Sequence, residues 1–407
     1  VQYIQIGTRA YFRVLVSMLL GSLVTFAILY SPQPLIGTFA KEFHVSPSSA
    51  SFIISFSTIT LAVTMLFVSL LSNAWGRRGV MSVSLFVTSL LAMASSFSTN
   101  FHLLLAARLL EGISLAGFPA IAMTYLNEEI EPRSIGQVMG FYVAGTAVGG
   151  FAGRVIISLI TDFFNWHIAM FVLGLVSLLC SLLFWLYLPK SNHFKPVSIS
   201  LHHWADGFRN GFASTRLLCL YLIGFLLLGA YVTLFNYIDF PLSQPPYELS
   251  QTWIGCLFVF QLMGSWSSVW FGKLADRYSR AGLIASGLGM LLVGALLMLA
   301  GNLVLMIAGM ILFACGFFAG HTVASGWVGK AAPVRYKAYA SSLYLLFYYT
   351  GSSLVGWSGG FFLSGFGWNG VIGMIIALIV ITALLLVYAS RFSRQERHGS
   401  EAKPTAL

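Results

Sequence analysis

About twelve uninterrupted apolar runs follow one another along the chain, each roughly twenty residues long. That is the length a helix needs to cross ~30 Å of hydrocarbon at ~1.5 Å per residue. Inside a bilayer every backbone amide and carbonyl must be satisfied by the chain itself, which leaves only helices and closed barrels. A barrel strand alternates apolar and polar residues, whereas these runs are continuously apolar and rich in Leu, Phe, Gly and Ala. The chain is therefore read as an all-α integral membrane protein. Only 8% of its 407 residues are charged, against about 25% in a soluble domain, so it could not cover a water-facing surface.

The runs lie near 14–36, 50–71, 80–98, 102–125, 135–160 and 167–188, then near 216–238, 251–272, 282–299, 303–327, 339–362 and 370–390. Residues 1–13 are polar and are expected to precede a full-length span rather than to form a cleavable leader. Lys and Arg mark the inner side of a membrane protein. With the N terminus inside, every one of the 22 basic residues except Lys41, Arg108 and Arg154 falls in an inner segment. Both termini are thus expected in the cytoplasm. The same bias accounts for the net charge of +10, so no nucleic-acid partner is needed. Cys180, Cys219, Cys256 and Cys315 sit singly in or beside apolar runs and read as packing residues, not as a disulfide framework or a metal site.

A polar gap divides the chain. The expected organisation is an N-terminal six-helix bundle at 1–188, a cytoplasmic linker at 189–215, a C-terminal six-helix bundle at 216–390 and a cytoplasmic tail at 391–407. In the linker, Leu201, Trp204, Phe208 and Phe212 are spaced three or four apart, as on an amphipathic helix lying in the membrane interface. The two bundles read as copies of one another. Basic loops SLLSNAWGRRGVM (69–81) and FGKLADRYSRAGL (271–283) align Gly76 with Ser279, 203 residues apart. The turns before the last span of each half align Trp166 with Trp368, 202 apart. Two six-span halves that both start inside are parallel repeats about a pseudo-twofold axis along the membrane normal. Secondary transporters use this plan, with the substrate near the midplane.

The loop motifs resemble those of the major facilitator superfamily, over essentially the whole chain. That family carries G-x-L-A-D-R-x-G-R-R between its second and third spans. Gly272, Leu274, Ala275, Asp276, Arg277 and Arg280 match it in the second half, with Ser279 in place of the second Gly. The first copy keeps Gly76, Arg77 and Arg78 but has Asn73 where the Asp belongs. Arg108-Leu109-Leu110-Glu111-Gly112 resembles the fourth-span pattern R-x-x-Q-G. Gly145-Thr146-Ala147-Val148-Gly149-Gly150 resembles the antiporter pattern G-P-x-x-G-G, with Thr146 in place of Pro. The resemblance implies the fold, alternating access, and a proton-driven exporter of the drug-antiporter branch in a bacterial inner membrane. It also implies that the loops gate the inner side, with Asp276 holding the halves together and Asn73 lacking that charge.

An ionisable group in the hydrocarbon costs at least ~2.5–3.5 kcal/mol, so it persists when paired or when it lines a wet cavity. Arg108 and Glu111 are three apart on one helix face and near mid-membrane. Glu111 is the candidate proton carrier, with Arg108 holding it ionised; the same pair also reads as a static salt bridge that packs the fourth span. Arg154 falls near the outer end of the fifth span and is expected either to snorkel to the surface or to pair with Asp162; together with Asp239 these make a candidate outer gate. Candidate substrate contacts are Tyr30, Gln33, Asn236, Tyr237, Gln261, His321, Tyr344, Tyr348 and Tyr349, whose aromatic faces and polar tips suit lipophilic or aromatic cargo. Ordinary interface and packing residues would leave the same pattern. Gly145, Gly149, Gly150 and Gly153 give small-xxx-small spacing for close helix contact.

The chain is thus read as a monomeric secondary transporter in the lipid bilayer, exporting a small, lipophilic or aromatic molecule against protons. It is expected to use no cofactor and no metal. Uptake or facilitated diffusion of a sugar-like or organic-acid solute stays open. An enzyme is disfavoured, because HExxH, GxSxG and paired mid-span Asp motifs are absent, as is a nucleotide-binding loop.

Overall fold

The computed structural model describes residues 3–131, 135–192, 201–212 and 214–401. Among them, eleven segments are long and apolar enough to cross a membrane, from Arg9–Glu42 to Tyr339–Arg391. The last is 53 residues long, twice what one span needs. It breaks at Gly367, whose φ of 64° lies in the left-handed region that glycine tolerates. Counted as two, it completes the twelve spans expected from the apolar runs.

Capping residues repeat as the loops do. Asn100 accepts from the Leu103 amide at 2.9 Å and opens the fourth span. Asn302 does the same for the tenth, accepting from Val304 and Leu305. Their spacing equals that of Trp166 and Trp368, and each such cap is worth about 1 kcal/mol. The halves differ where proline intervenes. The fourth span splits into Phe101–Leu115 and Pro119–Glu129, since Pro119 has no amide and its ring crowds the carbonyl four residues back. The tenth has no proline and runs unbroken over Leu303–Ala331.

The contacts separate two compact units. One comprises Val1–Ile199, Phe235–Leu262 and Gly356–Trp368; the other comprises Ser200–Leu234, Met263–Val355 and Asn369–Leu407. Within the first, Gly145, Gly149 and Gly153 line the fifth span against Ser22, Leu23 and Ala27 of the first. A Cβ on Gly149 would stand 2.8 Å from the Leu23 Cα, so only hydrogen fits there. Gly150 points elsewhere, toward its own Arg154. Within the second unit, Gly294 and Gly309 abut reciprocally and join spans nine and ten.

The linker contributes a helix, Leu201–Gly211. Phe208 meets Tyr339 edge-on with ring centroids 5.3 Å apart, and Phe212 meets Tyr221 and Phe347. This part of the apolar face thus packs on protein within the second unit. The side chains of Leu201 and Trp204 lie outside the described residues.

Candidate functional site

The first span stops being α-helical at Tyr30 because of Pro32 and Pro34. In a continuing helix the amide of residue 32 would bond the Ile28 carbonyl; proline has no amide to give. Arg108 supplies the missing donor. Its Nη1 reaches the Ile28 oxygen at 3.2 Å and its Nη2 the Leu29 oxygen at 2.9 Å. Its Nε donates to Ile53 of the second span at 2.9 Å. The same Nη1 also donates to Glu111 Oε2, as the i,i+3 spacing anticipates. Arg108 is 1% exposed and Glu111 0%. One guanidinium therefore fastens the break in span one to spans two and four. Gly112 lets spans two and four close up, for a Cβ there would lie 2.8 Å from Ser57 Cα.

A second polar group lies in the same unit, centred on Gln33. Its Oε1 accepts from Arg154 Nε at 2.9 Å and Nη2 at 2.6 Å, and its Nε2 donates to Asn236 Oδ1 at 2.8 Å. Arg154 Nη1 donates to the Gly150 carbonyl. The guanidinium lies 4.9 Å from the ring centroids of both Tyr30 and Phe258. Spans one, five, seven and eight meet at this point, and the cation–π contacts there are largely desolvated. Asn236 Nδ2 and Gln261 Nε2 are buried donors without a hydrogen-bond partner. Tyr237 instead donates to the Gly356 and Trp357 carbonyls at 2.9 and 3.2 Å.

The expected Arg154–Asp162 pairing gives way to other partners. Asp162 turns to the start of span eight, where its two oxygens accept from the Gln251 amide at 3.1 Å and the Thr252 amide at 2.6 Å. Helix N-termini offer such unpaired amides and favour a negative charge, and Ser250 at the capping position makes no side-chain cap bond of its own. Asp239 is 2% exposed, accepts from Gln251 Nε2 at 3.2 Å and lies against Gly37 of the first span.

The remaining substrate candidates gather in the second unit. His321 Nδ1 lies 2.9 Å from the Tyr344 hydroxyl. Its ring stacks on Phe317 and sits 4.4 Å from Tyr348, which meets Tyr349 edge-on. Gly224 leaves room for the Tyr344 ring. His321, isolated in sequence, is thus one member of an aromatic column.

The basic loops are held locally. Arg77 makes a two-pronged pair with Glu128, at 3.1 Å from Nε and 2.8 Å from Nη2, and reaches Ser72 Oγ. Arg78 donates to the Trp185 carbonyl. Gly76 forms the turn with φ 84°. In the second unit Asp276 faces Lys330 at 3.6 Å, both well exposed. Gly272 abuts Thr322; in the same loop Arg277 is exposed and Arg280 half-buried. The Asn73 side chain lies outside the described residues.

Sequence reasoning missed Phe258, Asp162's role as a cap and the carbonyl set around Arg108. The last had a usable signal, since Pro32 announces a carbonyl in need of a donor.

Comparison with known proteins agrees with this architecture. The model of the Major Facilitator Superfamily matches residues 18–258 and 247–407. The chain is 43% identical over 389 residues to the MFS-type transporter YybF of Bacillus subtilis, covering 96% of each. It is 45% identical over 385 residues to the inner membrane transport protein YnfM of Escherichia coli, covering 95% of this chain and 92% of that one. Among solved structures, a bacterial homologue of the human lysosomal transporter Spinster in an inward-facing, unoccupied conformation superposes with a TM-score of 0.77 at 16% identity, over 94% of this chain and 97% of that chain. The protein is a multi-pass membrane transporter, not an enzyme, and it belongs to the major facilitator superfamily.

Proposed function

We propose that the chain exports a small lipophilic or aromatic molecule across a bacterial inner membrane in exchange for protons, with both termini in the cytoplasm. The observation that carries this reading is the fully buried Arg108–Glu111 pair. A carboxylate at that depth is costly unless it is paired or works. Arg108 keeps three backbone carbonyls when Glu111 takes a proton. The carboxylate can therefore change charge without unseating the arginine from spans one and two. The aromatic column around His321 offers flat apolar faces with polar tips for cargo.

One observation favours a second reading, transport of an aromatic carboxylate. Arg154 already lies between two rings with an amide oxygen on its Nε and Nη2 edge, and a carboxylate would replace that oxygen bidentately. Reconstituted vesicles separate the two. Under an imposed pH gradient, export of an aromatic or lipophilic compound found by thermal-shift screening supports the first reading. Gradient-independent equilibration of aromatic acids supports the second.

Gln33 is proposed to hold the outer ends of spans one, five and seven together. Gln33→Leu removes both bonds to Arg154 and the bond to Asn236, taking about 2–3 kcal/mol from this arrangement. Cys256, in span eight near the Ser158–Gly255 contact, should then react several-fold faster with a membrane-impermeant maleimide. An unchanged rate would count against this role.

A further inference from the structure

In the first unit, a cavity of about 720 Å³ opens at the end of the helices remote from Arg9. Its walls include Phe43 just after span one, Phe97 and Ser98 just after span three, and His167 and Phe171 of span six, with Glu42 at its edge. Two hydrogen bonds fix the chemistry of that edge. Trp166 Nε1 donates to Glu42 Oε2 at 2.7 Å, which orients the carboxylate. His167 Nδ1 lies 2.6 Å from the Ser96 carbonyl oxygen, and its ring stacks on Trp166 at 3.6 Å. A carbonyl only accepts, so Nδ1 carries the hydrogen. In the neutral ring Nε2 is then a bare acceptor, and it faces Glu42 Oε1 at 3.9 Å. With the ring neutral, two acceptors, one of them anionic, face each other at the open mouth of an aromatic-walled cavity, the His167 side chain 41% and the Glu42 side chain 44% exposed. Ser98, whose sealed Oγ has no hydrogen-bond partner, is among the residues around the same cavity.

We propose that this cavity binds a primary ammonium group carried on an apolar body. An R–NH₃⁺ head has three hydrogens and one charge. It can donate to Nε2 and Oε1 together, compensate the carboxylate, and place its apolar part against Phe43, Phe97 and Phe171, where the ring faces favour a cation. A quaternary ammonium has the charge but no hydrogen to give, and an alcohol has a hydrogen but no charge. The head belongs either to an ethanolamine lipid of the surrounding leaflet or to a free amine, and both present the same chemistry. Neither Glu111 nor Gln33 lines the site, and it does not depend on the transport reading.

Phenethylamine is the probe, titrated into the full chain in phosphatidylcholine nanodiscs with tryptophan fluorescence as the readout. Saturable binding is expected, weaker by about tenfold or more for trimethyl(phenethyl)ammonium and for phenethyl alcohol, since each loses a charge-assisted hydrogen bond. Glu42→Gln should weaken it by a similar factor while keeping an oxygen for Trp166 Nε1. His167→Phe, which keeps the stack on Trp166 and removes Nε2, gives an independent reading. Phosphatidylethanolamine in the nanodisc that competes with phenethylamine identifies the lipid as the source; no competition identifies a free amine. Equal binding of the amine and its trimethyl analogue, or binding unaffected by both substitutions, would overturn the proposal and leave only partition into the bilayer.

Discussion

Gly149→Leu is expected to yield no monodisperse folded transporter. The glycine sits where spans one and five touch backbone to backbone. A Cβ there would lie 2.8 Å from Leu23 Cα and 2.9 Å from the Ser22 carbonyl oxygen. Those atoms belong to a helix that is itself packed, so the clash cannot be relieved by turning a side chain. Overpacking costs about 1–3 kcal/mol even where side chains can shift, and here a whole span must move. Gly145 and Gly153 face the same helix, so displacing one contact separates all three. Gly150→Ala is the control. Its Cβ would meet only Arg154 Nη1, at 3.3 Å, and alanine favours the helix by about 0.8–1.0 kcal/mol. Size-exclusion profiles and melting temperatures in detergent check both. A Gly149→Leu protein that melts like the parent would contradict the packing described.

Arg108→Leu should be nearly as damaging, for a different reason. The leucine fills much of the volume but takes the guanidinium's hydrogen bonds from the Ile28, Leu29 and Ile53 carbonyls and leaves the Glu111 carboxylate without its cation. Breaking a buried pair by removing one partner costs about 3–5 kcal/mol. Two further changes apportion the loss. Arg108→Lys restores the charge, yet its point-like ammonium cannot span carbonyls on two helices, so recovery should be partial. Arg108→Leu combined with Glu111→Gln removes the stranded charge and should recover stability relative to Arg108→Leu alone. A double variant no more stable than the single one would mean that the carbonyl set, not the carboxylate, dominates.

The spans, their number and the twofold plan were legible because each rests on a physical length or a local motif. Twenty apolar residues have one use in a membrane, and Gly76/Ser279 and Trp166/Trp368 mark helix ends at spacings of 203 and 202 residues. Asn100 and Asn302 carry the same signal, and it could have been read. Arg108 and Glu111 were legible because their partnership is local. What escaped was the identity of partners that packing brings together from distant segments. Gln33 meets Arg154 and Asn236 across 121 and 203 residues, and no periodicity reports that. Arg154 and Asp162 are two helical turns apart, which suggested a pair, but the free amides at the start of span eight are better partners for Asp162. His321 looked solitary because its companions Phe317, Tyr344 and Tyr348 lie on a helical face and on a neighbouring span.

The central claim, that Glu111 carries the coupling proton while Arg108 stays seated, is tested most directly in vesicles holding either the parent protein or Glu111→Gln, with a pH-sensitive dye inside. The parent should move substrate against its gradient when the pH gradient is imposed, and the dye should record an equivalent proton flux. Glu111→Gln should fold, since glutamine still accepts from Arg108, but should show neither gradient-driven transport nor proton flux. Unchanged pH-gradient-driven transport by Glu111→Gln would contradict the account.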